Sequence, residues 1–190
     1  MITKFRCNLC SSNELEALLE FGEHPIAHRF LDAPDEHEYT HPVRVWLCRE
    51  CGLTQLVDPI PPEELYTDYN WLSSWKFNPH IPRLLKLISE LPGIGPNSAI
   101  LEVGSNDGSF LGELHKEGYK NLLGMEPARD ACAAAAERGI ETLPAYFNQQ
   151  TASELVEARG SFDLIMVRQV LEHVTGLEEF REALKVCLKP

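Results

Sequence analysis

The stretch Ile100-Leu101-Glu102-Val103-Gly104-Ser105-Asn106-Asp107-Gly108 decides the fold. Its short apolar run is predicted as a strand over residues 99–103 and is followed at once by a turn of small residues. Residues 109–117 then have the apolar spacing of a helix. Strand-like and helix-like segments alternate after it: strands at 121–125, 141–143 and 162–167, and helices at 128–138, 151–159 and 177–188. This alternation predicts an α/β fold, in which right-handed crossovers join parallel strands and helices cover both faces of a Rossmann-like sheet.

The turn has the features of a nucleotide-binding loop at the carboxyl end of a strand. Gly104 lets the chain turn tightly, Asn106 tolerates a left-handed conformation, and Gly108 permits close approach at the helix start. The amides at the start of the helix are expected to face the ligand. Valine in place of Gly104 is expected to block the close approach of the ligand to the backbone. The dinucleotide pattern Gly-x-Gly-x-x-Gly is absent, which disfavours NAD. The spacing Glu-x-Gly-x-Asn-x-Gly, which starts at Glu102, is instead a variant of the S-adenosylmethionine loop.

A carboxylate follows the next predicted strand. Glu126 lies 18 residues after Gly108, where it could accept both ribose hydroxyl protons of a nucleotide-like cofactor. The alternative is an ordinary strand-to-helix turn with a solvated acid at the helix start. The strand context favours a cofactor site made of Glu102, Gly104, Asn106, Gly108 and Glu126.

Polar residues also follow the predicted strand at 162–167. Gln169 and Arg168 lie near its end and could line the same crevice, although polar packing would explain them equally well. We assign Gln169 to cofactor binding. His173 is the candidate catalytic residue, because neutral imidazole accepts protons near pH 7; its alternative is a structural histidine.

Four of the six cysteines form two Cys-x-x-Cys pairs. The pairs Cys7/Cys10 and Cys48/Cys51 are separated by 37 residues, a distance that a loop returning to a hairpin can span. The hairpin is predicted from residues 43–47 and 53–57. Four thiolates suit tetrahedral Zn²⁺ and leave no open position, so we predict a structural zinc rather than redox thiols.

The composition excludes several classes of function. The formal net charge of −12 repels phosphate backbones, so nucleic acid and anionic membranes are unfavourable partners. The start of the chain has no apolar signal core, and no apolar run is long enough to span a bilayer, so a cytoplasmic protein is expected. The sequence changes in character near residue 80. We predict a zinc-binding domain with an aromatic linker at 1–75 and a partial S-adenosylmethionine-binding, Rossmann-like domain at 76–190.

Taken together, these motifs resemble the sugar C-methyltransferase family. The matching stretches are Cys7 and Cys10, and residues 24–27, 48–56, 69–75, 102–108, 124–128 and 170–174. The resemblance implies an N-terminal zinc domain, a central S-adenosylmethionine domain, and a further C-terminal domain that this chain lacks. It also implies a catalytic role for Tyr69, although Trp71 stands where the family usually has a second tyrosine.

The resemblance implies C-methylation of a small molecule, a nucleotide-linked keto-deoxysugar. As an N-terminal fragment, the chain is expected to bind cofactor weakly and to turn over negligibly. Methyl transfer to oxygen or nitrogen of another small molecule is one alternative. A zinc-containing scaffold that binds a partner without chemistry is another. The sequence specifies neither the acceptor nor the oligomeric state.

Overall fold

A computed structural model of the chain describes residues 5–26, 31–61, 64 and 79–190. The chain divides into two compact units: Met1–Asp68 with Thr175–Glu178, and Tyr69–Val174 with Glu179–Pro190. Among the described residues, no helix combines the length and the apolar character needed to cross a lipid bilayer.

The first unit contains a three-stranded antiparallel sheet of order β1-β2-β3. Its strands are β1 (Leu15–Pro25), β2 (Thr40–Cys48) and β3 (Thr54–Leu56). The predicted hairpin is confirmed, since Val45 of β2 lies opposite Leu56 of β3. The sequence did not predict β1. Its side chains are exposed apart from half-buried Leu15, and two irregularities interrupt its register with β2, so the alternation of buried apolar and exposed polar residues that identifies a strand is missing.

The second unit contains a parallel sheet of order β6-β5-β4-β7. Its strands are β4 (Ala99–Val103), β5 (Asn121–Met125), β6 (Thr142–Leu143) and β7 (Leu164–Val167). The helices are α1 (Ile81–Ser89), α2 (Ser109–Lys116), α3 (Arg129–Glu137), α4 (Gln149–Arg159) and α5 (Leu177–Cys187), with a 3₁₀ turn at Leu171–His173. The predicted α/β fold with parallel strands is therefore confirmed.

Both faces of this sheet carry a hydrophobic core. On one face, Ile100 of β4 packs in a cluster with Phe110 of α2 and with α1 and α3 side chains. On the other, Leu101 packs in a cluster with Phe180 of α5 and with α4 side chains. Successive residues of a strand point to opposite faces, so adjacent residues of β4 enter different cores. The expected coverage of both faces is confirmed.

Several element boundaries differ from the prediction, and two of the differences have a local structural explanation. Helix α4 begins at Gln149, two residues early, because Asn148 accepts a hydrogen bond from Thr151 N (3.0 Å) while Thr151 Oγ1 accepts one from Asn148 N (3.0 Å). This capping box fixes the helix start. Strand β7 begins at Leu164; Phe162 instead forms an isolated parallel bridge with Leu188.

The loop after β4 sits directly on β5. The backbone N–H groups of Gly104 and Ser105 both donate to the carbonyl oxygen of Met125, at 2.8 and 3.3 Å. Gly124 makes room for this contact: an added Cβ would meet Oγ of Ser105 closer than 3.0 Å and Oγ1 of Thr142 at 2.7 Å. Gly124 therefore sets how closely the loop approaches the sheet.

Candidate functional site

The four predicted cysteines meet in the first unit. Sγ of Cys7 lies 3.5 Å from Sγ of Cys51, and Sγ of Cys10 lies 3.6 Å from Sγ of Cys48. All four sulfurs lie within 4.8 Å of one another. A tetrahedral ion with Zn–S bonds of about 2.3 Å holds its sulfurs about 3.8 Å apart. The four thiols therefore fit zinc, and no other group of three or more potential metal ligands comes together in the described part of the chain.

Backbone geometry supports these thiols. The N–H of Leu9 faces Sγ of Cys7 at 3.5 Å. The backbone N–H of Cys51 lowers the pKa of the Cys48 thiol to about 7. For Cys10 the N–H of Ser12 acts in the same direction, but burial and the other three cysteines raise the pKa of this thiol to about 12. Buried Gln55 of β3 holds the first cysteine segment: it accepts from Asn8 N (2.9 Å) and donates to Arg6 O (3.0 Å).

The second unit presents a crevice-forming loop at the carboxyl end of β4. Asn106 has φ +50°, and Gly104 and Gly108 have φ +68° and +69°. These left-handed conformations agree with the residue types expected at the three positions. Gly108 also allows close packing at the start of α2, since an added Cβ would lie 3.0 Å from Ala135 and 3.1 Å from Ile140.

The amide groups of this loop do not point outward as expected. Gly104 and Ser105 donate to Met125 O, and Gly108 N donates to Ser105 O at 3.0 Å. The N–H of Ser109, the first residue of α2, is bound by Oδ1 of Asp107 at 3.1 Å. The prediction that the helix-terminal amides face a ligand is thus wrong for these groups, because internal acceptors already satisfy them.

The expected effect of a side chain at Gly104 also needs a different explanation. An added Cβ would meet Cγ2 of Val170 closer than 3.0 Å. The space beside Gly104 is filled by a side chain from the segment after β7 and is not open to a ligand. A larger residue there would displace the loop itself.

Glu126 lies where the sequence placed it, at the carboxyl end of β5. It is 4% exposed. Its Oε2 accepts from Asn106 N (3.1 Å) and its Oε1 accepts from Ala128 N (3.0 Å). Each carboxylate oxygen has more than one acceptor site, so both can accept a further hydrogen bond. Hydrogen bonding to Glu126 therefore connects the glycine loop to the end of β5.

Glu102 forms a buried ion pair with Arg168. The Glu102 side chain is fully buried, and its Oε1 accepts from Nε and Nη2 of Arg168, each at 2.7 Å. Its Oε2 is buried and has no hydrogen-bond partner among the described residues. Burial raises the pKa of Glu102 to about 7, and the opposing effect of Arg168 is smaller. The guanidinium lies 4.0 Å from the ring centroid of Phe110.

Residues 75–190 match the family described as "Methyltransferase domain". The chain belongs to this methyltransferase domain family. Residues 7–66 match the family described as "Putative zinc binding domain", which contains the four-cysteine cluster.

Relatives of this methyltransferase chain include the C-methyltransferase NovU of Streptomyces niveus, 29% identical over 188 residues, which are 97% of this chain and 44% of that protein. The tRNA U34 carboxymethyltransferase of Hydrogenovibrio crunogenus is 30% identical over 137 residues, 70% of this chain and 39% of that protein. The chain thus spans less than half the length of these relatives. A solved methyltransferase of Thiobacillus denitrificans, in complex with S-adenosyl-L-homocysteine, has TM-score 0.47 and 16% identity, covering 69% and 52% of the two chains.

Three further residues were predicted from the sequence to belong to the site: Gln169, His173 and Tyr69. Gln169 follows β7 and is exposed, with φ +53°. His173 is exposed and ends the 3₁₀ turn, with its backbone N–H donating to Val170 O at 2.9 Å. Tyr69 lies outside the described residues. The assignments of these three residues stay predictions.

Two features of the site were missed. Asp107 is 5% exposed and accepts from Arg138 Nη2 at 3.0 Å as well as from Ser109, so it ties the loop to the end of α3. The pairing of Arg168 with Glu102 joins residues 66 positions apart. A charged residue within a strand as apolar as β4 was the available signal, because such a residue needs a partner.

Proposed function

We propose that this chain is the cofactor-binding part of an S-adenosylmethionine-dependent methyltransferase that methylates a carbon of a nucleotide-linked keto-deoxysugar. The hydrogen bond from Asn106 N to Glu126 carries the proposal, because it joins the glycine loop to an acceptor suited to ribose hydroxyls. Residues 1–75 are assigned to a zinc-binding domain and residues 76–190 to the cofactor domain. The compartment proposed for this small-molecule enzyme is the cytoplasm.

The choice of acceptor rests on two supports. The similarity to a C-methyltransferase extends over 97% of the chain, across both the cysteine pairs and the glycine loop. The motif order that resembles the sugar C-methyltransferases adds the nucleotide-sugar class. Neither cysteine pair has a role in the chemistry, since four thiolate ligands leave zinc no open position.

The residues of the loop fit the cofactor by their donor and acceptor chemistry. When bound, S-adenosylmethionine supplies an electrophilic methyl group on its sulfonium sulfur. Glu126 would accept the ribose hydroxyls, and Gly104, Asn106 and Gly108 fix the loop against which the cofactor rests. The protein's main contribution is then positioning of the methyl group relative to the acceptor carbon.

Carbon methylation also requires a proton acceptor. His173 is proposed to take the proton from the carbon next to the acceptor's carbonyl group, which leaves a nucleophilic enolate. Tyr69 is proposed as a second catalytic group from the family resemblance. Deuterium wash-in at that carbon of the acceptor, measured with and without His173→Gln, tests this step. Transfer to oxygen or nitrogen needs no such exchange.

Calorimetric titration with S-adenosylhomocysteine tests the cofactor assignment. We expect weak but measurable binding by residues 1–190 and a loss of about tenfold or more in Glu126→Gln, which removes a charged acceptor. Asp130→Asn is the matched control: Asp130 is an exposed acid in the first turn of α3, and its loss should leave affinity unchanged. If the unaltered chain binds no S-adenosylhomocysteine, the enzyme proposal is wrong and a zinc-containing scaffold becomes the better description.

A further inference from the structure

The carboxyl end of β4 is surrounded by buried acidic side chains, and two of these already have an arginine partner. Three buried carboxylates, those of Glu102, Asp107 and Glu126, lie in or beside the loop after β4. S-adenosylmethionine itself ends in an α-amino acid, so its carboxylate must approach this acidic edge. An anion bound beside several carboxylates needs a cation or several N–H donors to compensate their repulsion.

Most loop amides are already used within the chain. The N–H groups of Gly104, Ser105, Asn106 and Gly108 donate to acceptors within the chain. The N–H of Ser109 is bound by Asp107. A cationic side chain at this edge of the sheet would supply the charge that these amides do not.

Arg168 follows β7 at the same edge of the sheet as the glycine loop. Its guanidinium uses Nε and Nη2 on Glu102, and a guanidinium has five N–H donors in all. The side chain as a whole is 29% exposed, and the guanidinium has N–H donors beyond those used on Glu102. The carboxylate on one edge and the Phe110 ring at 4.0 Å hold the planar group in one orientation, which is the arrangement that favours bidentate binding of a carboxylate.

The strand order places Arg168 where it could reach one end of a bound cofactor. The sheet order is β6-β5-β4-β7, so β4 lies between β5, which carries Glu126, and β7, which precedes Arg168. Two strand spacings amount to about 10 Å. A ligand whose ribose is held at the end of β5 and whose chain crosses the loop after β4 would bring its far end to the end of β7. S-adenosylmethionine extends from its ribose in two directions, to the adenine and to the amino acid. Of these two ends, only the amino acid carries an anion that a guanidinium can bind.

We propose that Arg168, held in place by Glu102 and Phe110, binds the α-carboxylate of the cofactor's amino-acid end. The inference rests on the proposed function, because it presupposes that the crevice takes S-adenosylmethionine. Arg168 is a ligand-binding residue in this assignment, and Glu102 is a positioning residue that acts through it.

Two ligands that differ in one group test the proposal. Calorimetry compares S-adenosylhomocysteine with its decarboxylated analogue, which keeps the adenosyl, thioether and amine groups. We expect Arg168→Met to weaken S-adenosylhomocysteine binding about ten- to hundredfold and to leave the affinity for the analogue within about twofold. Arg159→Met is the matched control, since it removes an arginine whose partner is the exposed Glu141, and it should change neither affinity.

A second variant serves as the control for loss of folding. Arg168→Met leaves the Glu102 carboxylate buried without its cation, so Glu102→Gln/Arg168→Met removes both charges together, and circular dichroism checks that each variant keeps its helices. The double variant should show the same selective loss. An equal loss for both ligands would mean that Arg168 supports the loop only, and no loss for either would mean that the carboxylate lies elsewhere; both overturn the inference. If the unaltered chain binds neither ligand, the proposed function fails and the inference fails with it.

Discussion

Replacement of Glu102 by glutamine tests the energetic consequence of a carboxylate buried in β4. Glu102 has no exposed surface, and burial raises its pKa from the ordinary 4.5 to about 7. The folded state therefore favours the protonated carboxyl. The stability that this preference contributes is fully present below the ordinary pKa and is lost as the pH rises through about 7. At about 1.4 kcal/mol per pH unit, the interval from 4.5 to about 7 corresponds to roughly 3 kcal/mol.

Glutamine keeps the size of the side chain and cannot ionise. The natural chain should therefore lose stability relative to Glu102→Gln as the pH rises. We expect this relative loss in unfolding free energy to be roughly 2 to 3 kcal/mol between about pH 5 and about pH 8. Urea unfolding of the zinc-loaded proteins, followed by far-UV circular dichroism across this range, measures it. Comparing two chains that share every other titrating group cancels the contributions of those groups.

Glu141→Gln serves as a control of opposite sign. Its partner Arg159 lowers the pKa of Glu141, so the stability from this pair is present at neutral pH and is lost as the pH falls through that lowered pKa. The pair is exposed, so the effect should be small. If the difference between the natural chain and Glu102→Gln is the same at every pH, the burial argument for Glu102 is wrong.

Three further outcomes are expected. Chelation of zinc should remove the hydrogen-exchange protection of β2 amides around Trp46 while β4 keeps its protection, because four thiolates hold the small core of the first unit. Gly104→Ala should destabilise the chain by about 2 to 3 kcal/mol, since it combines a positive φ with a clash against Val170; adding Val170→Ala should relieve the clash and leave about 1 kcal/mol of backbone strain. Asn148→Ala should cost about 1 kcal/mol and Asn148→Asp much less, because aspartate keeps the cap of α4. Urea unfolding measures the last two.

Each of these expectations has a clear contrary result. Unchanged protection of β2 in metal-free protein would remove the structural role of zinc. If the double variant Gly104→Ala/Val170→Ala is no more stable than Gly104→Ala alone, the clash with Val170 is not the source of the lost stability. Equal stability of Asn148→Ala and the natural chain would mean that α4 gains nothing from its capping box.

The sequence was most informative where a pattern is local. Strand β4 was predicted with the bounds that it has, Ala99–Val103, because a short apolar run ends at Gly104. The cysteine pairs were equally clear, since each pair is contained in four residues. The left-handed conformation of Asn106 followed from its residue type and its place in the turn.

Contacts between distant residues were not predictable in the same way. Glu102 lies in an apolar strand, and nothing in its neighbours indicates that Arg168 neutralises it. The amides of the loop were expected to be free for a ligand, but their acceptors include Met125 O and the Glu126 carboxylate, which belong to another strand. Strand β1 was missed because it has no buried face, so its apolar residues do not recur with a period of two.

Gly124 has a consequence for attempts to reshape the loop after β4. It lies beside this loop, where Ser105 and Thr142 leave no room for a methyl group. Alanine at this position would push the loop away from β5 and β6, so the height of the loop above the sheet depends on a residue outside the loop. Variants meant to raise or lower the loop should therefore begin with the strand residue beneath it.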